Sequence, residues 1–409
     1  MRNSSIGKLF GAFGLAAALS VGVASAYTVK DPQQKYADPG ITDDEIVIGL
    51  HAPLSGRAKA FGADALDAAR MWYDMINARG GIWGRKIRVI VGDDKCSPND
   101  LLAVVKKFVT EDKVFLVNGG SCTHAAVAAQ EYVTREKVPF VMLNAAGDAA
   151  VFPPTRYVFG AFGGTQRTVG GSLIDFVTKN LGAKKIAYIA HDDDFGASNY
   201  LAAKWTADQN GASIVADQRV SRKIVDVTAP MLKIRASGAD VIVITTYTGP
   251  AALLVKKAHE FGIKMPIVAA VQAVPNLEAF VKNVGSKEAF ANFYYGSPLN
   301  DLTDGPKQQW VIDWFKKTYN RTPTPFMSYG IPSAMAIAQA LHNAGPNPTR
   351  EGFIDALAAT RLNTGILAGP IEFGDNKRDG HNASIFIKYD GAGSTRVPGV
   401  FFNRMPLNP

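Results

Sequence analysis

The chain has 409 residues, a formal charge of +8 and 47% apolar residues. That length exceeds what one hydrophobic core normally holds, so two lobes of ordinary domain size are expected. Lys and Arg are dispersed without a basic run, which excludes nucleic acid as a partner and fits an anionic ligand or an acidic docking surface.

At the start of the chain, Arg2 and Lys8 form a short positive region before an uncharged stretch, Leu9 to Val23, that leads to Ala24-Ser25-Ala26. This pattern predicts a signal peptide over residues 1–26, cleaved after Ala26, and hence a periplasmic protein. The apolar stretch is shorter than a membrane span needs, and no second one follows. Residues 27–40 are polar and read as a loosely held N-terminal arm.

From Ile41 onward, short β-branched runs alternate with helix-period stretches. Strands are predicted at 46–50, 86–91, 114–117 and 140–143, and helices at 64–79, 100–110 and 125–135. After the glycine-rich stretch 160–164 the alternation restarts. Strands are predicted at 186–190, 213–220, 241–245 and 267–270, with helices at 169–180, 198–209, 229–236 and 251–261. The tail is less regular: helices fit 308–319, 333–343 and 351–359, and strands fit 371–373, 384–389 and 397–402. Two blocks of this alternation imply parallel sheets with helices on both faces. Cys96 and Cys122 are the two cysteines. Export favours a disulfide between them, the alternative being two buried thiols.

Enzyme signatures are missing: there is no GxxxxGK[ST], no GxGxxG after a strand, no GxSxG and no HExxH. The run His191-Asp192-Asp193-Asp194 could be read as metal ligands, but it lies between a strand and a helix, where Asp caps amide groups. No metal and no cofactor is expected. Open α/β sheets bind ligands at the carboxyl ends of their strands. That rule nominates the loops His51–Gly62, Asn118–His124, Asn144–Gly147, His191–Gly196, Thr246–Gly249 and Val271–Ala273. Glycines and hydroxyls beside helix N-termini suit carboxylate capture. Phe61, Phe195 and Tyr247 would supply apolar walls.

At these loops the sequence resembles the branched-chain amino acid (Leu/Ile/Val) binding proteins, the type I periplasmic binding protein family of ABC importers. The markers run in order from Ile46 to Tyr389: PLSG at 53–56 with FG at 61–62, INARGGIWGRKI at 76–87, DDKCSP at 93–98, VPFV at 138–141, HDDDFG at 191–196 and SGADVIVI at 237–244. The resemblance implies a bridge between Cys96 and Cys122. It also implies carboxylate binding by Ser121 to Thr123 with the backbone near Asn144, Ala145 and Ala146, and aromatic contacts from Phe61, Phe195 and Tyr247. In amino acid binders an acidic residue on the far lobe pairs with the ligand ammonium; the matching position here is Gln272. Losing that charge-assisted bond forfeits roughly 1.5–3 kcal/mol. The expected ligand is therefore a carboxylate without the ammonium, aromatic or branched. Arg57, where the family often has Pro, would add a cation for it. Another carboxylate in the cleft, such as Asp192 or Glu278, would restore the amino acid reading.

The expected fold is α/β: two doubly wound parallel-sheet lobes joined by three hinge crossings near Gly163, Gly296 and Phe373. The N-terminal lobe would hold residues 41–162 and 297–373, and the C-terminal lobe residues 163–296 and 374–409. The expected function is non-enzymatic: a monomer that closes on a small organic acid or amino acid and presents it to an ABC permease and ATPase complex. A ligand sensor feeding a receptor is the rival of another class, and an enzyme with flavodoxin-like lobes a third.

Overall fold

The computed structural model describes residues 36–405 except 57, 161, 301–305 and 325. The expected signal peptide (1–26), residues 27–35 of the expected arm, and Arg57 lie outside the described residues, as does the side chain of Phe61. The final residues of that arm are not loose. Tyr36 donates its hydroxyl hydrogen to Asp43 Oδ1 at 2.7 Å, and Asp38 Oδ2 accepts the Arg350 N–H at 2.7 Å. Tertiary hydrogen bonds override the polar composition on which that expectation rested.

Two sheets organise the chain. The first is built from β1 (Glu45–Ala52), α1 (Lys59–Ala78), β2 (Lys86–Asp93), α2 (Pro98–Thr110), β3 (Leu116–Gly119), α3 (Thr123–Arg135), β4 (Phe140–Met142) and a short β5 (Val158–Phe159). Its strands are all parallel, in the order β2-β1-β3-β4-β5. The chain then enters α4 (Gln166–Lys179), β6 (Lys185–His191), α5 (Asp194–Gln209), β7 (Ser213–Val220), α6 (Thr228–Ala236), β8 (Val241–Thr245), α7 (Thr248–Glu260), β9 (Ile267–Ala269), α8 (Leu277–Val284) and β10 (Phe293–Ser297). It returns to the first core through α9 (Pro306–Tyr319), α10 (Met327–Asn343) and α11 (Arg350–Ala358). A small ribbon of β11 (Arg361–Leu362) and β12 (Ile371–Glu372) precedes the last passage, into β13 (Ala383–Tyr389) and β14 (Ser394–Phe402).

The second sheet runs β14-β13-β10-β9-β8-β6-β7. Its parallel part repeats the order of the first sheet, with β6 in the place of β1. It is not wholly parallel: β13 pairs antiparallel with β10 and with β14. The four-residue turn after Tyr389 can only reverse the chain, whereas a parallel pair needs a long crossover. Each sheet carries apolar clusters on both faces, which is why strands such as Val241–Thr245 are buried throughout rather than alternating.

The alternation was legible, but starts were not. Helix α10 begins at Met327, six residues before the expected Ser333, and carries Pro332 inside it. A proline normally reads as a helix boundary, because it lacks the N–H owed to the carbonyl four residues back. Here apolar burial of Met327 and Ile331 against the first core holds the turn before it. Helix α8 and strand β10 were missed. The N-cap Asn276 and the left-handed Gly285 at φ 81° mark α8 at both ends.

Candidate functional site

In both sheets the strand order reverses beside the first strand of the block, between β1 and β3 and between β6 and β8. Such a switch point opens a crevice at the carboxyl ends of the strands. The loops after β1, β3 and β4 rim one crevice, and those after β6, β8 and β9 the other.

On the first lobe, sequence markers far apart in the chain meet. Asp93, at the end of β2, accepts the Leu54 N–H at 2.8 Å and the Ser55 hydroxyl at 2.6 Å, so the PLSG loop hangs from the DDKCSP turn. Partial burial favours the neutral Asp93 acid, but these donors outweigh it and hold the carboxyl below its usual range. Its neighbour Asp94 pairs with His51 Nδ1 at 2.7 Å in a fully buried position. The Cys96–Cys122 disulfide, Cα to Cα 5.5 Å, then pins this turn to the start of α3.

Ser121 follows β3, and its Oγ is buried with no hydrogen-bond partner among the described residues. Thr123, the first residue of α3, accepts the Gly147 N–H on Oγ1 at 2.9 Å, which joins the two expected carboxylate loops. A Cβ on Gly147 would lie 2.3 Å from Thr123 Cγ2, so only glycine allows this approach. The Ala145 N–H donates to Gly120 O at 3.1 Å and its side chain is buried in the core. Asn144 and Ala146 flank it, both half-buried.

On the second lobe, Phe195 and Tyr247 come together, with ring centroids 4.9 Å apart and 22° between planes. Phe195 opens the first turn of α5 and is buried, while Tyr247 caps α7 and is 37% exposed. His191 fixes this pair. Its Nε2 accepts the Tyr247 N–H at 2.9 Å, which leaves Nδ1 as the protonated nitrogen, 3.1 Å from Val220 O. Asp193 has the capping role read from the sequence: Oδ1 accepts the Gly196 N–H at 3.1 Å. Burial pulls its acidity one way, but the Gly196 N–H and the Arg222 guanidinium hold its carboxyl below the usual range. Gln272 follows β9. Its carbonyl accepts the Thr248 hydroxyl at 3.4 Å, and its side-chain Oε1 is buried without a hydrogen-bond partner among the described residues. Asp192 and Glu278 are exposed.

Sequence reasoning missed Arg222, whose guanidinium lies 4.8 Å over the Tyr247 ring while it pairs with Asp193. It sits just past the end of β7, a strand end to which the crevice rule was not applied. Tyr329 on α10 was also missed; its ring backs onto Gly163, and burial pushes its phenol up to about 12.

The model of the family described as periplasmic binding protein matches residues 45–394. The Leu/Ile/Val-binding protein homolog 3 of Brucella melitensis is 27% identical over 365 residues, covering 85% of this chain and 94% of that protein. The branched-chain amino acid transporter substrate binding protein LivJ of Streptococcus pneumoniae, solved in complex with isoleucine, superposes with a TM-score of 0.64 at 25% identity, covering 87% of this chain and 99% of that one. A solute binding protein of an R. palustris ABC transporter, solved in complex with 4-hydroxybenzoate, superposes with a TM-score of 0.67 at 20% identity, covering 88% and 98%.

Proposed function

This chain belongs to the periplasmic binding protein family, and from that premise we propose that its ligand is a small carboxylate without an ammonium group, an aromatic or branched organic acid. The observation that carries the reading is Gln272. A neutral amide stands at the second lobe's crevice, and its Oε1 is a buried acceptor with no partner among the described residues. A buried orphan acceptor costs about 1–3 kcal/mol, which a ligand hydroxyl or N–H would recover. An ammonium would find a dipole there but no counter-charge, and Asp192 and Glu278 stay exposed. That the fold accommodates an aromatic carboxylate is seen in the 4-hydroxybenzoate complex of the R. palustris protein.

Ser121, Thr123, Asn144 and Ala146 would hold the carboxylate, Phe195 and Tyr247 would form the wall, and Arg57 and Phe61 would approach from the loop after β1. Closure would then bury the ligand between lobes 41–162 with 297–373 and 163–296 with 374–409. The protein would act as an exported monomer cleaved after Ala26, perform no covalent chemistry, and present its closed form to an ABC permease and ATPase complex.

A thermal-shift screen tests this. Branched-chain and aromatic amino acids are compared with their deaminated acids and with benzoates. A ligand at 100 times its Kd adds about 2.7 kcal/mol, so binding is visible. Ammonium-free acids alone should raise the Tm, and Gln272→Glu should weaken them about tenfold or more while admitting amino acids. Stabilisation of the unsubstituted protein by leucine or isoleucine alone would replace this reading with the amino acid one, in keeping with the name of the Brucella relative.

A further inference from the structure

The loop that carries Asn144 to Gly147 is held by an orderly series of N–H groups. Leu143 and Ala145 donate to Gly119 O and Gly120 O at 3.0 and 3.1 Å, and Gly147 donates to Thr123 Oγ1. The next residue, Asp148, turns to the other lobe. Its N–H goes to Gln166 Oε1 at 3.0 Å, and its carboxylate Oδ2 accepts from Arg167 Nε at 3.1 Å. Gln166 and Arg167 are the first two residues of α4, immediately after the first crossing, and α4 packs in the second core. Asp148 belongs to the turn that packs on α3 in the first core.

Three features make this more than a surface ion pair. Both side chains are mostly buried, at 12% and 18% exposure, so solvent screens the pair little. The carboxylate faces the N-terminus of α4, where the helix dipole favours it. The Arg167 guanidinium also lies 4.7 Å over the Phe152 ring, anchoring its far side to the first lobe. Other ties at the crossings include main-chain bonds between Gly160 and Arg378 and between Gly380 and Gly160, and the bond that Arg378 Nε donates to Thr155 O at 2.8 Å; these join hinge segments to each other and do not involve residues 144–147. Beside the pair is a shallow recess bordered by Val151, Thr165, Asp379 and Asn403.

We propose that Asp148, Gln166 and Arg167 form a clasp between the ligand loop of the first lobe and the leading helix of the second, so that the position of the loop and the closure of the lobes are set together. The inference rests on the reading that residues 144–147 contact the ligand. All three are positioning residues. A shift of α4 at closure moves Asp148, and through one intervening residue it moves Ala146.

The chain has no free cysteine among the described residues, so spin labels at Lys106→Cys on α2 and Lys233→Cys on α6 report the distance between lobes. In the ligand-free protein, Arg167→Met should shift or broaden that distance distribution, while Arg167→Lys, which keeps the charge, should shift it less. With 4-hydroxybenzoate as probe, Arg167→Met should weaken binding about fivefold, within the range of coupling changes produced by residues that do not touch a ligand. A ligand-free distribution for Arg167→Met that superposes on the parent would overturn the clasp. If Arg167→Met does not fold, Gln166→Met, which removes only the acceptor for the Asp148 N–H, is read in the same way. Failure of 4-hydroxybenzoate to bind the parent protein counts against the ligand reading, and the ligand-free distances still decide the clasp.

Discussion

His381 lies in the last crossing, fully buried, and neither ring nitrogen has a hydrogen-bond partner among the described residues. Burial, helped by the charge of Lys377, lowers its pKa to about 3, against about 6.5 in an unfolded chain. Between those values the unfolded state takes up a proton that the folded state refuses. Stability should therefore fall as pH drops from about 6.5 towards 3, by roughly 1 kcal/mol per pH unit from this residue. Asp379 has the opposite sign, because burial raises its pKa and the folded protein keeps a proton that the unfolded one releases as pH rises above the ordinary carboxylate range. His381→Leu isolates the histidine. Chemical denaturation should find this variant as stable as the parent or more so at pH 7, with a flatter decline into acid. A loss above about 2 kcal/mol at pH 7 would mean that the ring makes a bond its surroundings do not show. Nothing near His381 in the sequence announces this, since its enclosure depends on segments that meet only in the folded chain, such as Thr168 bonding its carbonyl.

At the scale of elements, the closest helix pairings rest on single glycines. Gly170 on α4 faces α5 so closely that a Cβ would lie 1.9 Å from Asn199 O. Backbone cannot yield as a side-chain tip can, so Gly170→Ala should destabilise by about 2 kcal/mol and lower the Tm, measurable by calorimetry. An unchanged Tm would show that α4 and α5 slide apart freely. The packing reason for Gly170 is tertiary, since Asn199 belongs to the next helix. Helix α5 itself was legible as a segment, and its Asp193 cap was read correctly. Its start was not, because Asp194 to Ala197 lie before the first strong apolar repeat.

At the scale of the whole molecule, two cores joined by three passages make hinge closure the soft motion. Ligand held by one crevice gains its second set of contacts only when the lobes approach, so binding and closure are one equilibrium. Small-angle scattering should show a smaller radius of gyration with a ligand found by thermal shift than without it. An unchanged radius would mean capture by a single lobe.

Composition, period and turn chemistry were enough to determine two α/β blocks, a cysteine pair suited to bridging and the strand ends that rim the two crevices. These features are written in near neighbours: a strand alternates or stays apolar over a few residues, and a cap lies within a turn of its helix. Tertiary structure alone decided that Ala145 gives its N–H to Gly120, that Arg222 covers Tyr247 and that Asp148 reaches Gln166 and Arg167 across the lobes. The physical reason is range. A hydrogen bond or ring contact is fixed by a few ångströms of space, and only the packing of whole sheets brings residues from different loops within it.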